Sequence, residues 1–133
     1  MNVLVAIPDT ETRAEFFLPQ LHERIESLGT VSWNDTENHY SESALHEQIP
    51  GVDVLVTGWG CPEVTKSVLA NAEDLQLIAH TGGSVAKYVS TAVYEAGIAI
   101  ISANGVIEDI ERLERDESLE HEIPRNQWET MSR

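Results

Sequence analysis

Five short strand signals, mostly unbroken apolar runs, punctuate the chain. They are Asn2 to Ile7, Thr30 to Trp33, Val52 to Thr57, Leu75 to His80 and Ile98 to Ile101. Apolar runs of this length suit strands buried on both faces. Four of them close on turn-forming residues: Pro8-Asp9, Gly58, Thr81-Gly82-Gly83 and Ser102-Ala103-Asn104-Gly105. Helical patterns fill the gaps. Phe17, Leu18, Leu21, Ile25 and Leu28 recur at helical spacing, with Pro19 in the first turn and Gly29 as the stop. Glu42 to Ile49 follows Ser41 and closes on Pro50-Gly51. Glu63 to Asn71 follows Pro62, and Thr91 to Ala96 lies between a Ser90 cap and Gly97. Gly105 to Arg115 carries Val106, Ile110 and Leu113 on one face.

Strand and helix alternate with short loops, which predicts a parallel α/β sheet. Five strands in 133 residues predict one flavodoxin-like domain with three layers, α/β/α, and strand order 2-1-3-4-5. Ligands of such sheets bind at the carboxyl ends of the strands. The loops of interest are therefore Pro8 to Thr12, Gly58 to Pro62, Thr81 to Lys87 and Ser102 to Gly105. Beyond Arg115 the chain turns polar, with Leu119, Ile123, Trp128 and Met131 as sparse anchors. A free tail has no use for Trp128, so this segment is expected to wrap back onto the domain, with a helical turn near Asn126 to Met131.

Charge narrows the partners. Asp and Glu number 23 against 8 Lys and Arg, a net charge of -15. Nucleic acid and anionic membranes both demand a basic footprint, so neither is expected. The acids are dispersed and the only lysines are Lys66 and Lys87, a composition that suits high salt. No stretch approaches the roughly 18 apolar residues of a membrane span. Val3 to Ile7 is too short, and lacks the basic start, for a secretory leader. The single cysteine, Cys61, forbids an internal disulfide and fits a reducing compartment. The chain is expected to be soluble and cytoplasmic.

Candidate chemistry sits on two strand-end loops. In His80-Thr81-Gly82-Gly83-Ser84-Val85 the glycines permit close backbone approach, and successive N–H groups suit a carboxylate. The same glycines would equally serve a tight strand-to-helix turn. In Gly58-Trp59-Gly60-Cys61-Pro62, Trp59 is either a pocket or interface wall or an aromatic lid over the sheet end. Cys61 reads as a small apolar filler, since no base flanks it. The five histidines lack metal-ligand spacing, so no metal is expected. His80 alone lies at the ligand-binding end of a strand, where a packed role also accounts for it. No G-x-G-x-x-G or Walker loop follows any strand. A receiver-type acidic pocket is incomplete, because the third strand ends in Thr57-Gly58. A flavin phosphate loop is equally absent, because Thr10-Glu11-Thr12 has no glycine and carries an acid.

Three segments taken together resemble the D-2-hydroxyacid dehydrogenases. They are Val52-Asp53-Val54-Leu55-Val56-Thr57, Val64-Thr65-Lys66-Ser67-Val68-Leu69 and Leu75-Gln76-Leu77-Ile78-Ala79-His80. A fourth runs from Ala92 through Ala96-Gly97-Ile98 to Asn104-Gly105. The likeness is close over residues 50 to 105 and loose before them. The resemblance implies a substrate domain, which in that family is discontinuous and interrupted by an NAD-binding Rossmann domain. Val106 to Leu113 and Glu120-His121-Glu122-Ile123 resemble the returning C-terminal piece. The two pieces, 1–105 and 106–133, meet directly, so the cofactor domain is missing. The join reads as an engineered deletion, with a natural remnant as the alternative.

The family's cofactor fingerprint and its catalytic arginine, acid and histidine belong to that missing domain. The resemblance therefore implies no catalytic residue and no bound cofactor here, with NAD confined to the parent enzymes. It carries over only the substrate contact: Gly82, Gly83, Ser84 and Val85, with Trp59 beside them. The expected ligand is a small 2-keto or 2-hydroxy acid, held weakly. The face once turned to the cofactor domain favours a homodimer. The alternatives are a flavodoxin-like binding or signalling module, and a subunit completed in trans by a cofactor domain.

Overall fold

The computed structural model describes residues 1–82, 84–102 and 105–131. Five parallel strands form one sheet: β1 (Asn2–Val5), β2 (Thr30–Trp33), β3 (Val54–Thr57), β4 (Leu77–His80) and β5 (Ala99–Ser102). Their order is β2-β1-β3-β4-β5, the flavodoxin-like arrangement. In register, Val3 lies beside both Val31 and Val54, Val56 beside Ala79, and His80 beside Ser102. The strands β3 and β4 are buried at every position, as apolar runs without alternation require. β2 is an edge strand, and its Thr-Val-Ser-Trp sequence alternates between exposed and half-buried positions.

Among the described residues seven helices connect and flank the strands: α1 (Glu11–Phe16), α2 (Pro19–Glu26), α3 (Glu42–Gln48), α4 (Lys66–Leu69), α5 (Thr91–Glu95), α6 (Val106–Glu114) and α7 (Arg125–Glu129). Right-handed crossovers place the β1–β2 connection on one face and the later ones on the other. The packing agrees: α2 touches α6, while α4 touches both α3 and α5. None of these helices is long and apolar enough to cross a membrane.

Two elements differ from what the sequence predicts. The helix expected from Phe17 to Leu28 is preceded by α1, where the sequence suggests only a loop. Thr10 caps α1, its hydroxyl accepting from the Arg13 N–H at 3.5 Å. The break between α1 and α2 falls at Leu18, held extended (φ -56°, ψ 156°) because Pro19 follows it. The third predicted helix, Glu63 to Asn71, shrinks to Lys66–Leu69. There Thr65 is the cap, its hydroxyl accepting from the Val68 N–H at 3.4 Å.

Residues 106–131 are built into the domain. Asp109 on α6 is fully buried. Its carboxylate accepts from the N–H groups of Glu120 (2.9 Å) and His121 (2.8 Å) and from Arg112 (2.6 Å). The Ile123 N–H donates to the Ile100 carbonyl at 2.7 Å, joining the tail to the edge of β5. Tyr94 donates to the Ile123 carbonyl at 2.9 Å, and buried Trp128 donates its indole N–H to the Ala86 carbonyl at 3.0 Å. The sparse apolar anchors of the tail thus serve as packing points, as the sequence suggests.

Candidate functional site

In this sheet the connection leaving β1 and the connection leaving β3 run to opposite sides, which opens a crevice beyond the carboxyl ends of the two strands. A cleft of about 470 Å³ occupies that place. Ile7 and Pro8 after β1, Phe16 from α1 and Trp59 after β3 form its apolar walls. Gly58 and Gly82 line it where the β3 and β4 loops meet. Thr10, Thr12, Glu15 and His39 complete it on the side of α1 and the β2–α3 loop.

The glycines fit this meeting point closely. A Cβ on Gly58 would stand 3.1 Å from both Ile7 Cγ1 and Thr81 Oγ1. A side chain there would force apart the β1 and β4 ends. Gly60 has φ +92° and its Cα faces the His39 ring, with a Cβ reaching 2.6 Å from His39 Nε2. Gly60 also donates its N–H to the Tyr88 hydroxyl at 3.0 Å, which pins the loop. Trp59 projects from that pinned loop and is 79% exposed. It is therefore a wall of the cleft and not a core residue. A Cβ on Gly82 would lie 3.4 Å from the Trp59 N–H nitrogen, so the two loops touch. Neither the Trp59 nor the Gly82 N–H has an acceptor among the described residues.

The remaining candidates divide. Ser84 is exposed, and its hydroxyl accepts from the Ala86 N–H at 3.2 Å. Val85 is fully buried. Neither lines the cleft. Gly83 lies outside the described residues. Phe16, Glu15 and His39 carry no sequence signal for the cleft. Phe16 arrives only because α1 exists, and His39 only because buried Asn34 folds its loop. That asparagine bonds the carbonyls of Ala6 (3.2 Å) and Asn38 (3.0 Å).

His80 lies beneath the cleft and is fully buried. Its Nδ1 pairs with Thr57 Oγ1 at 2.8 Å, its ring packs on Tyr88 with centroids 4.6 Å apart, and Nε2 has no partner among the described residues. Desolvation lowers its pKa to about 4, so it is a neutral packing group at pH 7. Cys61 is buried, and its sulfur accepts from the Gly58 N–H at 3.3 Å. Burial raises the thiol pKa, so it is a filler rather than a nucleophile. No group of three or more His, Cys, Asp or Glu side chains is placed to hold a metal among the described residues.

No family model and no curated protein matches the sequence. Its fold does match solved D-isomer 2-hydroxyacid dehydrogenases. D-lactate dehydrogenase from Salmonella superposes with a TM-score of 0.57 at 14% identity over 78% of this chain and 30% of its own. NAD+-bound 3-phosphoglycerate dehydrogenase from Entamoeba histolytica gives 0.60 at 15% identity, covering 77% and 32%. NAD-dependent formate dehydrogenase from Staphylococcus aureus, in complex with NAD, gives 0.56 at 21% identity, covering 79% and 32%. The chain therefore spans about a third of the length of these enzymes. At such identities the likeness establishes a shared fold.

Proposed function

We propose that this chain is the substrate-binding domain of a D-2-hydroxyacid dehydrogenase, separated from its cofactor domain and inactive alone. The supporting observation is the cleft at the ends of β1, β3 and β4. There the Trp59 and Gly82 loops meet, with backbone N–H groups lacking acceptors among the described residues. Two such donors suit a carboxylate in an otherwise acidic molecule. The likeness to one-third of larger dehydrogenases supports the same reading. The ligand is a small 2-keto or 2-hydroxy acid.

The residues present do not fit a dinucleotide. The turn after β1 carries Asp9 and Glu11 where a pyrophosphate would need free N–H groups, and no glycine lies between Pro8 and Thr12. NAD belongs to the parent enzymes in this reading, and no step passes through it here. The groups that move hydride and proton belong with it, which is why the isolated chain is proposed to be silent. Self-association through the exposed former interdomain face follows from the same reading.

An amide NMR titration in high salt tests it. Glyoxylate should shift the amides of Trp59 and Gly82, and NADH should shift none. Saturable NADH binding, or 2-keto acid reduction by the purified chain, would overturn the proposal.

A further inference from the structure

The walls of the cleft differ in character from its rim, and the difference bears on the substituent of the ligand. This step rests on the carboxylate reading above. The apolar surfaces of the cleft are Ile7, Pro8, Phe16 and the exposed ring of Trp59, and Thr10, Thr12, Thr81 and His39 supply its uncharged polar rim. The charged side chain lining the cleft is an acid, Glu15, and no lysine or arginine lines it among the described residues. The nearest basic residue in sequence, Arg13, is spent elsewhere. Its guanidinium donates to the carbonyls of Ile7 (3.1 Å) and Asn34 (2.7 Å), pairs with Asp9 at 3.0 Å and stacks over Trp33. Its charge is thus held on the β2 side and committed to backbone.

We infer that the cleft selects 2-keto or 2-hydroxy acids with a bulky apolar substituent, above all an aromatic one, and rejects those carrying a second anionic group. The carboxylate meets the Trp59 and Gly82 N–H groups, and the substituent lies between Phe16 and Trp59. Trp59 is a specificity-determining residue. Exposing a large aromatic ring to water at the mouth of a cleft leaves apolar area that a ring-bearing ligand removes from solvent. A second carboxylate or a phosphate would instead face Glu15 within a molecule of net charge -15. The three solved dehydrogenases named above are described by lactate, 3-phosphoglycerate and formate, which carry methyl, phosphate-bearing and no substituents. The substituent inferred for this cleft differs from all three in size and polarity.

Three probes and one control separate the outcomes, read by calorimetry and by amide shifts on the full chain in high salt. Phenylpyruvate should bind at least about tenfold more tightly than glyoxylate, a difference of about 1.4 kcal/mol. Oxaloacetate should bind no more tightly than glyoxylate. Phenylacetone, which keeps the ring and lacks the carboxylate, should not bind. Trp59→Ala should bring the phenylpyruvate-to-glyoxylate ratio close to one, and the exposure of Trp59 makes that variant safe for folding. Oxaloacetate matching phenylpyruvate, or an unchanged ratio in Trp59→Ala, overturns the selectivity while leaving the carboxylate reading intact. Silence towards every 2-keto acid, or equal binding of phenylacetone, overturns the carboxylate reading itself.

Discussion

At the scale of single residues, two positions under the cleft make opposite demands. Gly58 admits no side chain. An added methyl would sit 3.1 Å from Ile7 and Thr81, in a layer where β1, β3 and β4 are already packed. Gly58→Ala should therefore cost about 1–3 kcal/mol, the range for overpacking, and urea melts would measure it. His80 makes the demand of a buried base. Its folded pKa is lowered to about 4 while the unfolded value stays near 6.5, so the unfolded chain binds the extra proton in between. Stability from this residue is present above the unfolded pKa and is lost as pH falls from about 6.5 towards 4. Between pH 6.5 and 5 the loss should be about 2 kcal/mol. Urea melts of the protein and of His80→Gln at both values isolate it, because the other titrating groups are common to both. A parallel pH dependence in the two proteins would show that His80 already opens to solvent in the native state. The glycine could be anticipated from the sequence, since it ends a buried strand. The histidine's partner could not, because Thr57 pairs with it across the sheet, and register follows only from the assembled strands.

At the scale of elements, apolar pattern was a good guide where burial shapes an element and a poor one where local chemistry does. All five strands lie within two residues of where the apolar runs place them, because β1, β3 and β4 exclude water from both faces. Helix α1 left no such trace. Its sequence, Glu-Thr-Arg-Ala-Glu-Phe, has no buried residue, and its limits are set by a threonine cap and by Pro19 beyond it. Missing α1 meant missing Phe16 and Glu15, and with them the character of the cleft. The attachment of α6 is similar. Asp109 reads as one more acid on an amphipathic helix, yet it is the group that ties residues 120 and 121 to that helix. Burial alone would raise its pKa. The Glu120 N–H, Arg112 and the His121 N–H outweigh that and hold it below the ordinary carboxylate value. A lowered carboxylate pKa contributes stability above the unfolded value, lost as pH falls through the folded one. Asp109→Ala should remove these bonds, leaving two N–H groups unpaired and Arg112 with Glu120 as its remaining partner, at a cost of about 2–4 kcal/mol. Hydrogen exchange should show the loss first at Glu120 to Ile123, ahead of the sheet. Uniform loosening across all five strands would instead mean that the tail and sheet unfold as one unit.

At the scale of the whole molecule, charge works against the compaction that the sheet drives. The net charge of -15 on 133 residues is carried by exposed acids on α1, α3, α6 and the loops. Close ion pairs offset only part of it. Arg13 with Asp9, Arg24 with Glu111, Arg112 with Asp109, Arg115 with Glu117 and Arg125 with Glu129 occupy five of the eight basic residues, and Glu111, Asp109 and Glu117 lie on or next to α6. Elsewhere like charges face one another through water, where interaction is screened beyond about 10 Å at 0.1 M salt and about 3 Å at 1 M. Folding gathers these charges, and unfolding separates them, so low ionic strength favours the unfolded chain. The midpoint of thermal unfolding should therefore rise steadily as KCl is taken from 0.1 to 2 M. Differential scanning calorimetry would follow it. Replacing four exposed acids away from the cleft, Glu23, Glu47, Glu73 and Glu95, with glutamine should flatten that rise by reducing the repulsion. The ion pairs on α6 make an opposing demand, since salt weakens them, and the observed slope weighs the two. A midpoint that falls with salt would mean that pairing near α6 outweighs repulsion over the rest of the surface. The acidic surface would then be a feature of solubility, and the rejection of doubly charged ligands would rest on Glu15 alone.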